Sequence, residues 1–222
     1  GIMLLSILGC RALLVAREVS VWAFAIGSGV LGWGVFIFGL TEHLTSMELS
    51  AFLIFCSIGN VFFLYGKDSE ILPLKPESWG RLHYLLIAVV VFVLFGDVLE
   101  AFSPAADGGS LAYHFALPKN ILAAGHLVFV PRAVDATSPL LVNMAYIPPL
   151  ALGGERALNL WLMISGWACA AFIYVVCLRY LSAVWSILAA LIFLTTPAVL
   201  YSAGTGQVEV RLALFVLVAA FS

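Results

Sequence analysis

Charge is scarce in this sequence. Of 222 residues only 10% are Asp, Glu, Lys or Arg, whereas a soluble domain carries roughly 25%. That shortage excludes an ordinary water-soluble globule. It also excludes a disordered chain, which needs high charge and low hydrophobicity. Ten basic residues against twelve acidic ones leave a net charge of −2. The basic footprint of a nucleic-acid binder is therefore missing, and no strong field steers a charged partner. Cysteine is sparse as well. Cys10, Cys56, Cys169 and Cys177 all fall in apolar runs; none makes a CxxC pair, and no Cys/His cluster has zinc spacing. They read as small buried hydrophobes. No internal repeat is found, which argues against a secondary transporter built from inverted halves.

What is present is apolar: 64% of the residues are hydrophobic and the mean hydropathy is +1.12. Lipid is the expected solvent. A helix crossing a hydrocarbon core of about 30 Å needs about 20 apolar residues. Val21–Leu40, Met47–Tyr65, Tyr84–Phe102, Ala157–Leu178 and Ala183–Tyr201 satisfy this requirement, the third with Asp97 and Glu100 at the outer interface. Ile2–Ala16 is short and carries Arg11. Val208–Ser222 opens a further span, and the apolar run reaching the end of the sequence leads us to expect a longer chain. Gly27, Gly29, Gly32 and Gly34 lie in one span, where small residues permit close helix packing. Ser138–Gly153 is apolar but reaches only about 22 Å as a helix and contains Pro148 and Pro149. It is expected to lie at the interface without crossing.

The positive-inside rule orients these segments. Lys67, Lys75 and Arg81 sit in one connection and Arg17 precedes the first full span, whereas 41–46 has no Lys or Arg. The former are read as cytoplasmic and the latter as outside. The expected fold is all-α: a polytopic transmembrane helix bundle with interfacial helices in an extracytoplasmic loop. Its parts are N-terminal spans over 1–102, the loop over 103–156 and further spans over 157–222. This arrangement puts Asp107 and Glu209 on one face and Arg179 on the other.

The outer loop is the polar part. Between Asp97 and Arg156 lie five of the twelve acids, Asp97, Glu100, Asp107, Asp135 and Glu155, and two of the four histidines, His114 and His126. Ser103-Pro104 and Asp107-Gly108-Gly109 are turn signals. Ser110 is suited to cap a helix through Leu117, and Pro118 to the first turn of a second piece ended by Gly125. By itself the loop reads either as a solvated connector or as an ordered functional loop.

The stretch from Ser103 to Lys119, reading SPAADGGSLAYHFALPK, resembles the first external loop of GT-C polytopic glycosyltransferases. The nearest likeness is to the bacterial protein-mannosyltransferase and aminoarabinose-transferase superfamily. Ser138-Pro139-Leu140-Leu141 through Gly153-Gly154-Glu155 is similar to that family's interfacial helix. Thr196-Pro197 through Val208-Glu209 is similar to the segment opening its second external loop. Together the three blocks cover about half the chain. The resemblance departs at Gly109, where the family often has a second Asp, and at Glu209, where Asp is more usual.

The resemblance implies transfer of a sugar from a polyprenyl-phosphate donor to an acceptor on the non-cytoplasmic face of a bacterial inner membrane. Such a reaction needs a base for the acceptor proton and positive charge, either a divalent metal ion or Lys/Arg, at the departing phosphate. Asp107 and Glu209 are the candidate catalytic acids. Tyr113, His114 and Lys119 are candidates for substrate binding, and Asp135 and His114 for metal ligation. Arg211, just inside the last span, is a functional suspect because charge there is costly. The competing expectation is a non-catalytic GT-C-like subunit packed against other membrane proteins, which Gly109 favours.

Overall fold

The computed structural model describes residues 19–65, 80–128, 141–203 and 205–221. The expectations for Ile2–Ala16, Cys10, Lys67, Lys75 and Asp135 lie outside them. The described residues are all-helical, without a strand. In chain order the helices are α1 (Val19–Leu40), α2 (Ser46–Tyr65), α3 (Arg81–Ala101), α4 (Ala116–Ala124), α5 (Leu141–Met144) and α6 (Ile147–Cys177). They continue with α7 (Ala183–Leu194), α8 (Pro197–Ala203) and α9 (Glu209–Ala220), and a π-helical turn at Ser110–His114 precedes α4. Three of them, α1, α3 and α6, are long and apolar enough to cross a membrane, and they mark a membrane protein.

Local chemistry sets the helix ends. Thr45 and Glu48 form a reciprocal cap at the start of α2: the Thr45 hydroxyl accepts the Glu48 N–H (3.3 Å), and the Glu48 carboxylate accepts the Thr45 N–H (3.2 Å). Gly125, at φ 74°, ends α4 in the left-handed region, as its sequence position predicted. Ser110 does not cap, contrary to expectation. Asp107 does, its carboxylate accepting the Ser110 N–H at 2.8 Å, because an ionised acceptor one turn earlier is the stronger cap. Pro118 lies in the first turn of α4, as its position predicted.

Two apolar runs behave differently from expectation. Ser138–Gly153 is not one helix. Its described part divides into α5 and the start of α6, with Pro148 in the first turn of α6 where its missing N–H costs nothing. The break after it falls at Gly154, whose φ 68° and ψ −162° are open to glycine alone. Ala183–Tyr201 is not one span either. α7 stops at Leu194, giving a helix of about 18 Å, and α8 begins at Pro197. The ring of Pro197 disfavours helical backbone at Thr196, so the apolar run is cut.

Cross-chain contacts set the helix directions. Trp167 donates from Nε1 to Asp97 at 2.9 Å, and Asn159 donates to the Ser103 carbonyl at 3.1 Å. α3 and α6 therefore run antiparallel. α1 also opposes α6: Trp22 meets Phe172 edge-on near its start, with ring centroids 6.1 Å apart, and Val35 packs with Met144 and Ile147 near its end. α9 leaves this same end and packs Leu214 and Val218 against Cys169 and Phe172. The 41–45 turn, the 103–128 loop and the 205–208 loop consequently gather at one end of the bundle. Arg81 and Arg179 lie at the other. Leu117 and Ile121 of the loop are buried against Val35, Leu44 and Leu49, which fixes the loop to the helices.

Candidate functional site

The site is built where the loop after α3 meets the loop before α9. Asp107 Oδ1 accepts two hydrogen bonds, from the Ser110 N–H at 2.8 Å and from Gln207 Nε2 at 3.0 Å. Its other oxygen, Oδ2, is buried without a partner among the described residues. The Ser110 hydroxyl accepts the Gly206 N–H at 2.6 Å, and the Tyr146 hydroxyl donates to the Gly206 carbonyl at 3.2 Å. Residues about 100 positions apart in sequence are thus joined by polar bonds. The approach is close: a Cβ on Gly206 would stand 2.8 Å from the Phe115 ring and 3.0 Å from both His114 Cβ and Ser110 Oγ. Glycine is required there by space.

Arg211 fixes the second loop from below. Its guanidinium, 4% exposed, donates to the carbonyls of Gln207 and Thr205 and stands 6.0 Å from the Tyr146 ring centroid. A buried cation bonded to carbonyls and facing an aromatic ring is held in place rather than loose. Its Nε has no partner among the described residues. Tyr146 is fully buried; burial pushes its phenol up to about 12, partly opposed by the Arg211 charge. It therefore remains a neutral donor to Gly206.

Burial alone pushes the Asp107 carboxyl up. The hydrogen bonds from Ser110 and Gln207 outweigh it and hold the group below the ordinary carboxylate value. Asp107 is an anion at neutral pH, with one oxygen fixed and one left over.

The other predicted residues divide. His114 is buried beside Gly206, with Nδ1 unpartnered. Tyr113 is 41% exposed and meets the His114 ring edge-on. Lys119 forms an exposed ion pair with Glu155 across the start of α6; such a pair contributes about 0–1 kcal/mol and exchanges readily. Glu209 is exposed in the first turn of α9, where the helix dipole favours an acid. No group of three or more His, Cys, Asp or Glu gathers to hold a metal ion among the described residues. His114 and Asp107 Oδ2 alone fall short of the ligands that a divalent cation takes.

Sequence reasoning missed Gln207, Tyr146 and Thr205. Their only signal is a short polar stretch, Thr205-Gly206-Gln207, following the Pro197 break in an otherwise apolar region. Comparison with protein-family models, with curated proteins and with solved structures finds no match to this chain.

Proposed function

We propose that this chain is a GT-C-type glycosyltransferase, or the membrane portion of one, transferring a sugar from a polyprenyl-phosphate donor to an acceptor on the non-cytoplasmic face. The observation that carries this reading is Asp107: an ionised carboxylate with one buried oxygen unpartnered among the described residues, on a loop bonded to the loop that leads into Glu209 and Arg211 of α9. Charged Lys or Arg at the opposite end of the helices, at Arg81 and Arg179, favours placing this end outside. The bundle is then polytopic, and α4 with the start of α6 rests at the interface.

In this mechanism Asp107 Oδ2 receives the acceptor hydroxyl's proton as that oxygen bonds to the anomeric carbon and the lipid phosphate departs. One displacement inverts the anomeric centre, and no covalent carboxylate intermediate forms. A carboxylate held below its ordinary value is a weak base. It takes the proton late, once the hydroxyl has become acidic through bond formation. Lys119, on release from Glu155, is a cation of the loop available to a lipid phosphate.

The second reading is a non-catalytic subunit. An apolar cavity of about 440 Å³ between α3, α6 and α7, where Ala170, Ala171, Ala183 and Ala190 stand among larger side chains such as Ile87, Leu94 and Ile187, favours it, because it leaves apolar surface for another chain to cover. The test is a transfer assay on reconstituted protein with polyprenyl-phosphate sugars, comparing wild type with Asp107→Asn and Glu209→Gln. A rate lowered about 100-fold or more in Asp107→Asn is expected for loss of a general base. Equal rates in all three proteins would remove both acids from the chemistry and favour the subunit.

A further inference from the structure

We infer that Gln207 and Gly109 together form a positioning device for Asp107: the Gln207 amide fixes Oδ1 and leaves Oδ2 as the one carboxylate oxygen without a hydrogen bond among the described residues, and Gly109 is glycine because that amide occupies the space a side chain would need. This rests on the reading of Asp107 as the acid of the site, yet its geometry stands independently of what is transferred. Gln207 Nε2 lies 3.0 Å from Asp107 Oδ1. A Cβ on Gly109 would stand only 2.6 Å from that same Nε2 and 3.4 Å from Asp107 Oδ1. Gly109 itself needs no unusual backbone, at φ −67° and ψ −47°, so conformation does not explain the glycine. Proximity to the amide does.

The device has two halves on different loops. The Ser110 N–H bonds Oδ1 from the carboxylate's own turn, and this alone would let the carboxylate swing about that single bond. The second bond, from across the interface, removes the swing. The Gln207 carbonyl is in turn held by Arg211, so the amide is anchored at its backbone. At the position where the resembling family often carries a second acid, this chain carries empty space and fills it with a neutral donor from the other loop. A second carboxylate there would repel Asp107; a neutral amide stabilises it as an anion.

The experiment measures the titration of Asp107 directly, by NMR of the ¹³C-labelled carboxyl in the full chain in nanodiscs, alongside transfer activity. The variants are Gln207→Ala, Gly109→Ala and the double variant. The titratable groups on the neighbouring elements, His114, Tyr146, Glu209 and Arg211, are unchanged in all of them. Gly109→Ala displaces only the end of a flexible side chain, so the fold is expected to survive, as far-UV circular dichroism would confirm.

Loss of one hydrogen bond to a carboxylate is expected to raise its titration midpoint by about one unit. Both single variants should show this rise. The double variant should show no further rise, since there is one bond to lose. In transfer assays kcat should fall with little change in KM, and Gln207→Asn should not restore it because its amide is one methylene short. An unmoved midpoint in Gly109→Ala, or rises that add in the double variant, would overturn the inference. If the midpoints shift as stated while no lipid-linked sugar is transferred by wild type, the positioning stands and the glycosyltransferase reading fails.

Discussion

Replacing Gly154 by alanine isolates a purely conformational cost at the break that divides α6. Gly154 is exposed, and nothing lies within 4 Å of where a Cβ would be, so no packing term enters. Its φ 68° and ψ −162° fall where an alanine costs about 1–3 kcal/mol. Reduced freedom of the unfolded chain offsets about 0.4–1 kcal/mol of that. The net destabilisation is about 0–2.6 kcal/mol, and at roughly 2–4 °C per kcal/mol for a chain of this size the melting midpoint falls by up to about 10 °C.

Two other glycines provide the scale. Gly125, at φ 74° and equally open, sits in the milder left-handed helical region, so its alanine variant should fall less. Gly108 has an open Cβ site and no positive φ, and its alanine variant should lie within about 0.5 kcal/mol of wild type. The assay is thermal unfolding in detergent followed by far-UV circular dichroism on all three variants. The order should be Gly154 lowest, then Gly125, then Gly108. A Gly154→Ala protein melting with or above Gly108→Ala would show that the break in α6 is not held by backbone conformation.

Four further outcomes follow from particular contacts. Asp97→Ala removes the buried acceptor of the half-buried Trp167 N–H and should cost about 1 kcal/mol, whereas Asp97→Asn keeps an acceptor and should cost less; thermal midpoints distinguish them. Thr45→Ala removes the reciprocal cap of α2 and should cost about 1 kcal/mol in the same measurement. Asn143 is fully buried with neither side-chain polar atom hydrogen-bonded among the described residues, so Asn143→Leu should be neutral or stabilising, and a loss above about 1 kcal/mol would indicate a hidden partner. Asp107, held below its ordinary value, contributes stability that is fully present above the unfolded carboxyl's pKa of about 3.9 and is lost as pH falls through the lower folded value. Melting midpoints should therefore drop more steeply below pH 4 in wild type than in Asp107→Asn.

Hydrophobic runs made α1, α3 and the long part of α6 legible, because a helix in lipid needs a minimum apolar length and little else. Gly125 announced the end of α4 through its tolerance of positive φ. The sequence separated Ser138–Gly153 from Ala157–Leu178, but the positive φ of Gly154 that makes the break in α6 was not read from it. The division at Thr195 and Thr196 was hidden: the run is apolar throughout, and Pro197 lay inside a span whose hydropathy outweighed it. The site was half legible. Asp107 could be singled out by its turn and its rarity as an acid. Its partner Gln207 lies about 100 residues away on another loop, and no local pattern encodes a hydrogen bond across such a separation. Gly109 read as a missing acid until its neighbour was known. The gap between Gly109 and Gln207 is a tertiary property.

On the proposed reading, Asp107 drives sugar transfer at the end of the bundle opposite Arg81 and Arg179. The most direct test is transfer from a polyprenyl-phosphate sugar in sealed proteoliposomes of known orientation, with a membrane-impermeant acceptor supplied on one side at a time. The account predicts product only when the acceptor faces the Asp107 end, and a loss of about 100-fold or more in Asp107→Asn. Product formed on the Arg179 side, or unaltered by Asp107→Asn, would contradict it.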